Sequence, residues 1–302
     1  DEFRRQLIDA MGEAATPELA AALSTARVEI AAPILERARV LRDGELVAVL
    51  LRRADEHRLA MALRRSGERP DGEGSMLIDR LLQHDHAAVA VGAMALLVAE
   101  SRRNDRFGEP VLARTDLPAE LQHRMVWWVA AALRDYLVER HMMDPLVADR
   151  PLVTVATAML AAYDEGETLE GRAFELACRL RDAGELNDLL LVEAMNEGRL
   201  TLLAAVLALR AGIDAPSAWE MIADSGGCRL AVLLRAIDCP REMAGAIMLR
   251  LTIAENRSEV ELADNLDAFD LLTVDQAREA LRPWRLDDDY RRAIAALAAG
   301  DK

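Results

Sequence analysis

The chain has 302 residues, 52% hydrophobic and 29% charged, a globular balance with enough length to bury a sizeable core. Its 37 basic and 52 acidic side chains leave a net charge of −15, a field that repels phosphate backbones and anionic lipid and so argues against nucleic-acid and membrane partners. Aromatics are only 4% and the apolar residues are mostly Ala and Leu, which lose little entropy in a helix, so the composition predicts an all-α chain.

In chain order, Asp1, Glu2, Arg4 and Arg5 lack the order of a signal peptide, and with no initiator Met the numbered chain reads as processed or trimmed. Thr16-Pro17 reads as an N-cap and first helical residue, starting a helix through Leu23. Asp43-Gly44 separates a helix ending near Val40 from one carrying Leu46, Val47, Leu50 and Leu51. A third continues past Asp55 with Leu59, Ala60 and Leu63 on one side. Ser66 to Gly74 is the clearest loop. Ser75 then caps a helix to about His84, and Ala87 to Glu100 is its apolar partner. The apolar run from Ala87 to Ala99 is shorter than the roughly 18 residues a membrane span needs.

Arg103 to Pro110 is a second break, after which Asp116-Leu117-Pro118 opens a long helix through Trp127, Trp128 and Tyr136. Asp144-Pro145 and Pro151 interrupt the next region, which is helical to Tyr163. Helices around Glu167 to Arg181, Glu185 to Asn196 and Arg199 to Ala211 follow, and their short turns imply antiparallel neighbours. Two units then echo each other. Arg199-Leu200 with Leu203 and Arg210-Ala211-Gly212-Ile213-Asp214-Ala215-Pro216 is followed by Arg229-Leu230 with Leu233 and Arg235-Ala236-Ile237-Asp238-Cys239-Pro240. In both, the Asp is read as a cap and the Pro as the start of the next helix. A helix-turn-helix unit recurring every few tens of residues predicts an α-solenoid, a stack of antiparallel helix pairs, although convergent capping chemistry would give the same echo.

Toward the end, Glu259, Glu261, Asp264, Asp267 and Asp270 load one segment with negative charge. Thr273 with Gln276 forms a capping box, and Asp287, Asp288 and Asp289 open a last helix to about Leu297 where its dipole favours anions. The break at Asp144-Pro145 suggests an N-terminal region over 1–144 and a C-terminal one over 145–302, with a single continuous domain as the alternative.

No stretch carries a phosphate loop, nucleophile elbow, kinase set or zincin motif, so no catalytic, cofactor-binding or metal residue is assigned. The histidines are His57, His84, His86, His123 and His141. In His84-Asp85-His86, i and i+2 share a face only in a strand, whereas this segment joins two helices, where Asp85 fits an N-cap. Cys178, Cys228 and Cys239 have no metal or redox spacing and read as small core residues in a reducing cytoplasm. A local basic patch remains open at Arg102 and Arg103. Trp127-Trp128 reads either as an interaction hot spot or as a wedge in the core, because adjacent helical residues point about 100° apart.

Several of these segments together resemble a known family. They are Ala31-Ala32-Pro33-Ile34-Leu35, Leu41-Arg42-Asp43-Gly44-Glu45-Leu46, His57-Arg58-Leu59-Ala60, Leu81-Leu82 through Asp85 with Ala88-Val89-Ala90, and Arg229-Leu230-Ala231 with Arg235-Ala236. The family is the alphaproteobacterial domain of unknown function 2336 group. The resemblance covers most of the chain and implies a HEAT-like helical repeat in a bacterial cytoplasm, with no catalytic residues to carry over. The expected role is a non-enzymatic protein-protein scaffold or adaptor without cofactors, its partner carrying a basic surface. A small-ligand sensor with a pocket between helices is the alternative, and an enzyme or nucleic-acid processor on a helical repeat comes last.

Overall fold

A computed structural model describes residues 39–66, 77–104, 107, 110–111 and 116–300, with a few isolated positions before residue 39. The expectations placed on Thr16, on the 67–76 loop with Ser75, and on the 31–35 segment lie outside the described residues. Fourteen α-helices follow one another among the described residues: α1 (Gly44–Ser66), α2 (Leu77–Leu82), α3 (Ala87–Ser101), α4 (Ala119–His141), α5 (Pro145–Ala161), α6 (Leu169–Asp182), α7 (Asp188–Asn196), α8 (Leu200–Ala211), α9 (Ala215–Ile222), α10 (Cys228–Ala236), α11 (Arg241–Ala254), α12 (Glu259–Leu271), α13 (Val274–Ala280) and α14 (Asp288–Gly300). Short 3-10 turns occupy Val40–Arg42, Glu165–Glu167 and Arg282–Arg285. The only extended pairing among the described residues is an isolated bridge between Asn104 and Pro110. The all-helical composition argument therefore holds, and no single described helix is long and apolar enough to cross a membrane.

Local chemistry sets most helix starts. Asp43 Oδ1 accepts from the amides of Glu45 (3.1 Å) and Leu46 (3.0 Å) and so caps α1. Asp144 caps α5 through Leu146 N (2.9 Å), with Pro145 at the first turn. Asp214 caps α9, and capping boxes start α12 (Ser258 with Glu261) and α13 (Thr273 with Gln276).

Four readings of the sequence are corrected. The two helices expected on either side of Asp55 are one 23-residue helix, α1, because Ala54, Asp55 and Glu56 contain no breaker. Pro151 lies inside α5 without ending it; the carbonyl it leaves unpaired belongs to Val147, which is exposed to solvent. Asp85 does not cap α3. His86 is the flanking residue there, and its carbonyl accepts from Ala90 at 3.2 Å. In the second echo, Asp238 caps nothing: with one residue fewer between the Arg and the Asp it falls at φ 56°, the left-handed position that closes α10, and Pro240 precedes α11. Its structural counterpart is Gly212 (φ 66°), not Asp214.

The chain forms two units that are not its two halves. One joins Asp1–Ala54 to Arg102–Thr168, the other Asp55–Ser101 to Leu169–Lys302. The boundary expected between 144 and 145 is instead a turn inside the first unit, between α4 and α5, which pack along each other. Leu121, Val126, Leu133 and Leu137 of α4 meet Ala148, Leu152 and Ala156 of α5 in the core of that unit, which Val40, Leu46 and Leu117 join. Gln122 sits on the same buried face at 1% exposure, and neither its amide nitrogen nor its oxygen has a hydrogen-bond partner among the described residues. Asp116, whose side chain is 1% exposed, takes Arg103 Nε at 2.7 Å and Arg53 Nη2 at 3.7 Å.

In the second unit α8 lies at the centre. Leu200, Leu202 to Ala208 and Ala211 are all buried, so no face of this helix is wet. Helices α6, α7, α9 and α10 pack on it, α9 turning away by 113°. The turn before α8 is tight. Gly198 has φ 64°, and a Cβ there would stand 2.6 Å from the carbonyl oxygen of Ala60 in α1. Next to it, Arg199 is buried between Glu100 and Glu197, with Nε 2.8 Å from the latter. Burial disfavours its charge, but the two carboxylates outweigh that, and the guanidinium pKa lies above its usual value.

Two substitutions should move stability in opposite directions. Gly198→Ala is expected to destabilise the protein by about 1–3 kcal/mol, because both the backbone angle and the contact with Ala60 oppose a methyl group. Gln122→Leu should stabilise it by roughly 1–3 kcal/mol by removing a buried amide without partners. Urea-unfolding midpoints of the two variants against the parent check both signs.

Candidate interaction surface

The side chains able to do chemistry are mostly engaged in holding helices. His84 Nε2 lies 2.7 Å from Glu185 Oε1, while its Nδ1 accepts from the His86 amide at 3.0 Å. That bond requires an unprotonated Nδ1, so the ring's proton sits on Nε2 and points at the carboxylate. Both nitrogens are thereby occupied. His86 is 6.2 Å away, ring to ring, so the two imidazoles do not converge on a common point. Among the described residues, no group of three His, Cys, Asp or Glu side chains is arranged to hold a metal ion. Arg80 joins the same band, pairing with Glu193 and lying 3.9 Å from Glu185.

The basic pair at Arg102 and Arg103 is neutralised within the first unit. Arg102 faces Glu167 at 3.7 Å and Arg103 faces Asp116. Other arginines reach the carbonyl-rich ends of neighbouring helices. Arg64 donates to Glu197 O (3.0 Å), Arg235 to Leu272 O (2.7 Å) and Arg278 to Ala236 O (3.1 Å). Arg210 and Arg285 reach Ile237 O and Ala211 O. A cation there satisfies orphan carbonyls and complements the helix dipole. The sequence reading missed these contacts because each joins residues far apart in the chain.

The cysteines do not share one environment. Cys239 is buried, and desolvation, helped by Asp188, pushes its thiol up to about 11. Cys228 is exposed, not in the core as expected, since it opens α10 behind Gly227 (φ 73°). Its Sγ lies 3.6 Å from Asp224 Oδ2; partial desolvation and that carboxylate raise its pKa.

Three outward-facing features differ in chemistry, beside exposed apolar residues elsewhere such as Leu146 of α5 and Tyr290, Ile294 and Leu297 of α14. On α12, Val260, Asp264, Asp267 and Leu271 are spaced 4, 3 and 4 residues apart and all are exposed, so they form one stripe. Among the described residues neither Asp264 nor Asp267 has an ion-pair partner, whereas Asp270 beside them holds Arg241 at 2.8 Å and Glu261 is engaged in its capping box. On α3, Val91, Met94 and Val98 make a second exposed stripe, uncharged over its length. On α4, the tryptophan pair divides: Trp127 packs on the core with Nε1 3.3 Å from His123 Nε2, and Trp128 is 48% exposed. Trp128 borders a hollow of about 240 Å³ in the first unit, lined also by Arg39, Arg42, Leu121, Arg124 and Met125.

These features define an all-helical protein whose cations are drawn into its framework and whose outward faces carry carboxylates and apolar side chains. A family model described as an uncharacterised protein conserved in bacteria, DUF2336, matches residues 30–282, and the chain belongs to that family. No curated protein matches the chain, and no solved structure does.

The raised thiol pKa of Cys228 makes a kinetic prediction. At neutral pH the thiolate fraction is below that of an ordinary exposed cysteine, so alkylation by iodoacetamide should be slow despite the exposure. Asp224→Asn should speed it severalfold, read by mass spectrometry of the Cys228 peptide over time.

Proposed function

We propose that the protein is a non-enzymatic, cytoplasmic scaffold that docks a partner with a basic, amphipathic surface. The packing order of the second unit supports reading it as a HEAT-like solenoid. There α3, α6, α8, α10 and α13 follow one another in one row, and α7, α11 and α12 follow in a second row against it. Such a stack offers long helix faces, and proteins are its usual ligands.

One observation carries the choice of partner, the stripe on α12. Val260 and Leu271, 69% and 83% exposed, bracket two carboxylates without counter-ions among the described residues. A basic helix with an apolar edge complements both features, and the net charge of −15 speeds its approach. The small-ligand sensor is the weaker reading, since the two hollows beside Trp128, of about 240 and 400 Å³, lie open to solvent and do not enclose a small molecule.

The test is affinity capture from a native bacterial lysate at low and high salt, comparing the parent with Asp264→Lys/Asp267→Lys and with Val260→Ser/Leu271→Ser. A basic protein captured by the parent at low salt should be released at high salt and lost from both variants. All four side chains are exposed, so the variants should melt within about 2 °C of the parent. Empty beads at both salts, or the same proteins on parent and variants, would sink the proposal.

A further inference from the structure

The hollow beside Trp128 has a chemistry opposite to that of α12. Its floor is apolar, made by Val40, Leu121 and Met125, and the exposed indole of Trp128 forms one wall. Two guanidinium groups, Arg39 and Arg42, line it, and among the described residues neither has an ion-pair or hydrogen-bond partner for its side chain. In a chain that engages so many of its arginines on carboxylates and helix ends, that is a departure. The third arginine, Arg124, is different: it is fixed by Glu45 and by Asp43 Oδ2 at 3.1 Å. Asp43 meanwhile caps α1 with its other oxygen, so the one carboxylate in the lining is neutralised and does not repel an anion.

The two open guanidinium groups are carried on one short turn. Arg39 sits at φ 52°, ψ 20°, a left-handed conformation that a non-glycine residue adopts at a cost. The 3-10 turn that follows is closed by Arg42 N donating to Arg39 O (2.8 Å) and Asp43 N to Val40 O (3.0 Å). Both arginines therefore project from one short turn held by its own hydrogen bonds, which keeps two guanidinium forks close enough to take neighbouring carboxylates in charge-assisted bonds.

We infer that this hollow binds a short acidic segment of a partner protein, its carboxylates on Arg39 and Arg42 and an aromatic or large aliphatic side chain against Trp128 and Met125. Shape favours a peptide, because an open hollow of about 240 Å³ admits a side chain or two from a chain that runs past it. The exposed indole supplies the kind of anchor that dominates protein interfaces. This site lies in the first unit and stands independently of the α12 stripe, which lies in the second.

The probe is a blocked hexapeptide in which Asp and Glu flank a Phe. It is titrated into the full chain by calorimetry and by tryptophan fluorescence, beside its Asn/Gln counterpart and inorganic phosphate. The acidic peptide should bind and change the fluorescence, while the amide peptide and phosphate should bind at least about tenfold more weakly. Arg39→Asn/Arg42→Gln, in which Asn tolerates the left-handed position, should weaken the acidic peptide about tenfold or more. Trp128→Ala should weaken it too and remove the fluorescence change. Asp264→Lys/Asp267→Lys should leave it unaltered, so failure of this site and failure of the α12 proposal are read separately. No binding at millimolar peptide, equal binding of the amide peptide, phosphate binding as tightly as the peptide, or undiminished binding to the arginine variant would each overturn the inference.

Discussion

Helix α8 has no face that tolerates water, and the second unit is the solution to that constraint. A helix apolar all round must be covered on every side, which calls for α6, α7, α9 and α10 around it. Its two ends then need partners as well. At the C-terminus Gly212 turns the chain out in the left-handed conformation, and Arg285 reaches the Ala211 carbonyl. At the N-terminus there is no side-chain cap. Gly198 lets the turn press against Ala60, and Arg199 brings its charge into the interior between two carboxylates. Removing either Glu100 or Glu197 would leave a buried charge short of a counter-ion, so these three residues stand or fall together.

The arginines explain how a chain with this charge builds its faces. Lys302 is the chain's single lysine, so almost every cation has a planar fork of donors instead of a point charge. That fork suits carbonyls at helix ends, and Arg64, Arg210, Arg235, Arg278 and Arg285 are used in this way. Each cation drawn onto backbone is one fewer on the surface to balance a carboxylate. The open guanidinium pair at Arg39 and Arg42 departs from a background in which most described arginines are engaged, while the chain's surplus of acids leaves carboxylates such as Asp264 and Asp267 on the surface, and the two outward-facing proposals rest on these features of opposite sign.

Much of the architecture was legible because it is local. Pro118 before α4, Asp144-Pro145 before α5 and Thr273 with Gln276 at α13 are local signals whose physics spans a few residues, and all three mark helix starts, the first without a side-chain cap because Asp116 is turned to Arg103. Where the reading went astray, the deciding fact was one residue or one distant contact. Asp238 follows Arg235 by three residues where Asp214 follows Arg210 by four, which moves it from a cap to a left-handed closing position. Cys228 looks like a core residue by composition, but its place at the first position of α10 exposes it. The division into units could not be read from breaks in the chain, because it depends on α3 finding α6 across the intervening α4 and α5. The split between a packed Trp127 and an exposed Trp128 was open to sequence as a pair of alternatives, and packing assigned one to each residue.

The discontinuous division has a consequence for synthesis. A chain made from its N-terminus holds all of the first unit once Thr168 has emerged, but residues 55–101 must still wait for everything after Leu169. At ordinary elongation rates that wait lasts on the order of ten seconds. Throughout it α3 has no α6 to cover Val89, Leu96 and Ala99, residues it buries in the finished protein. An apolar segment stranded this way is prone to pair with other chains as a strand. Here Ala87, Ala88, Ala90, Ala93, Ala95 and Ala99 favour helix and disfavour strand, so the same small residues that let α3 pack closely later also keep the nascent segment out of the wrong secondary structure.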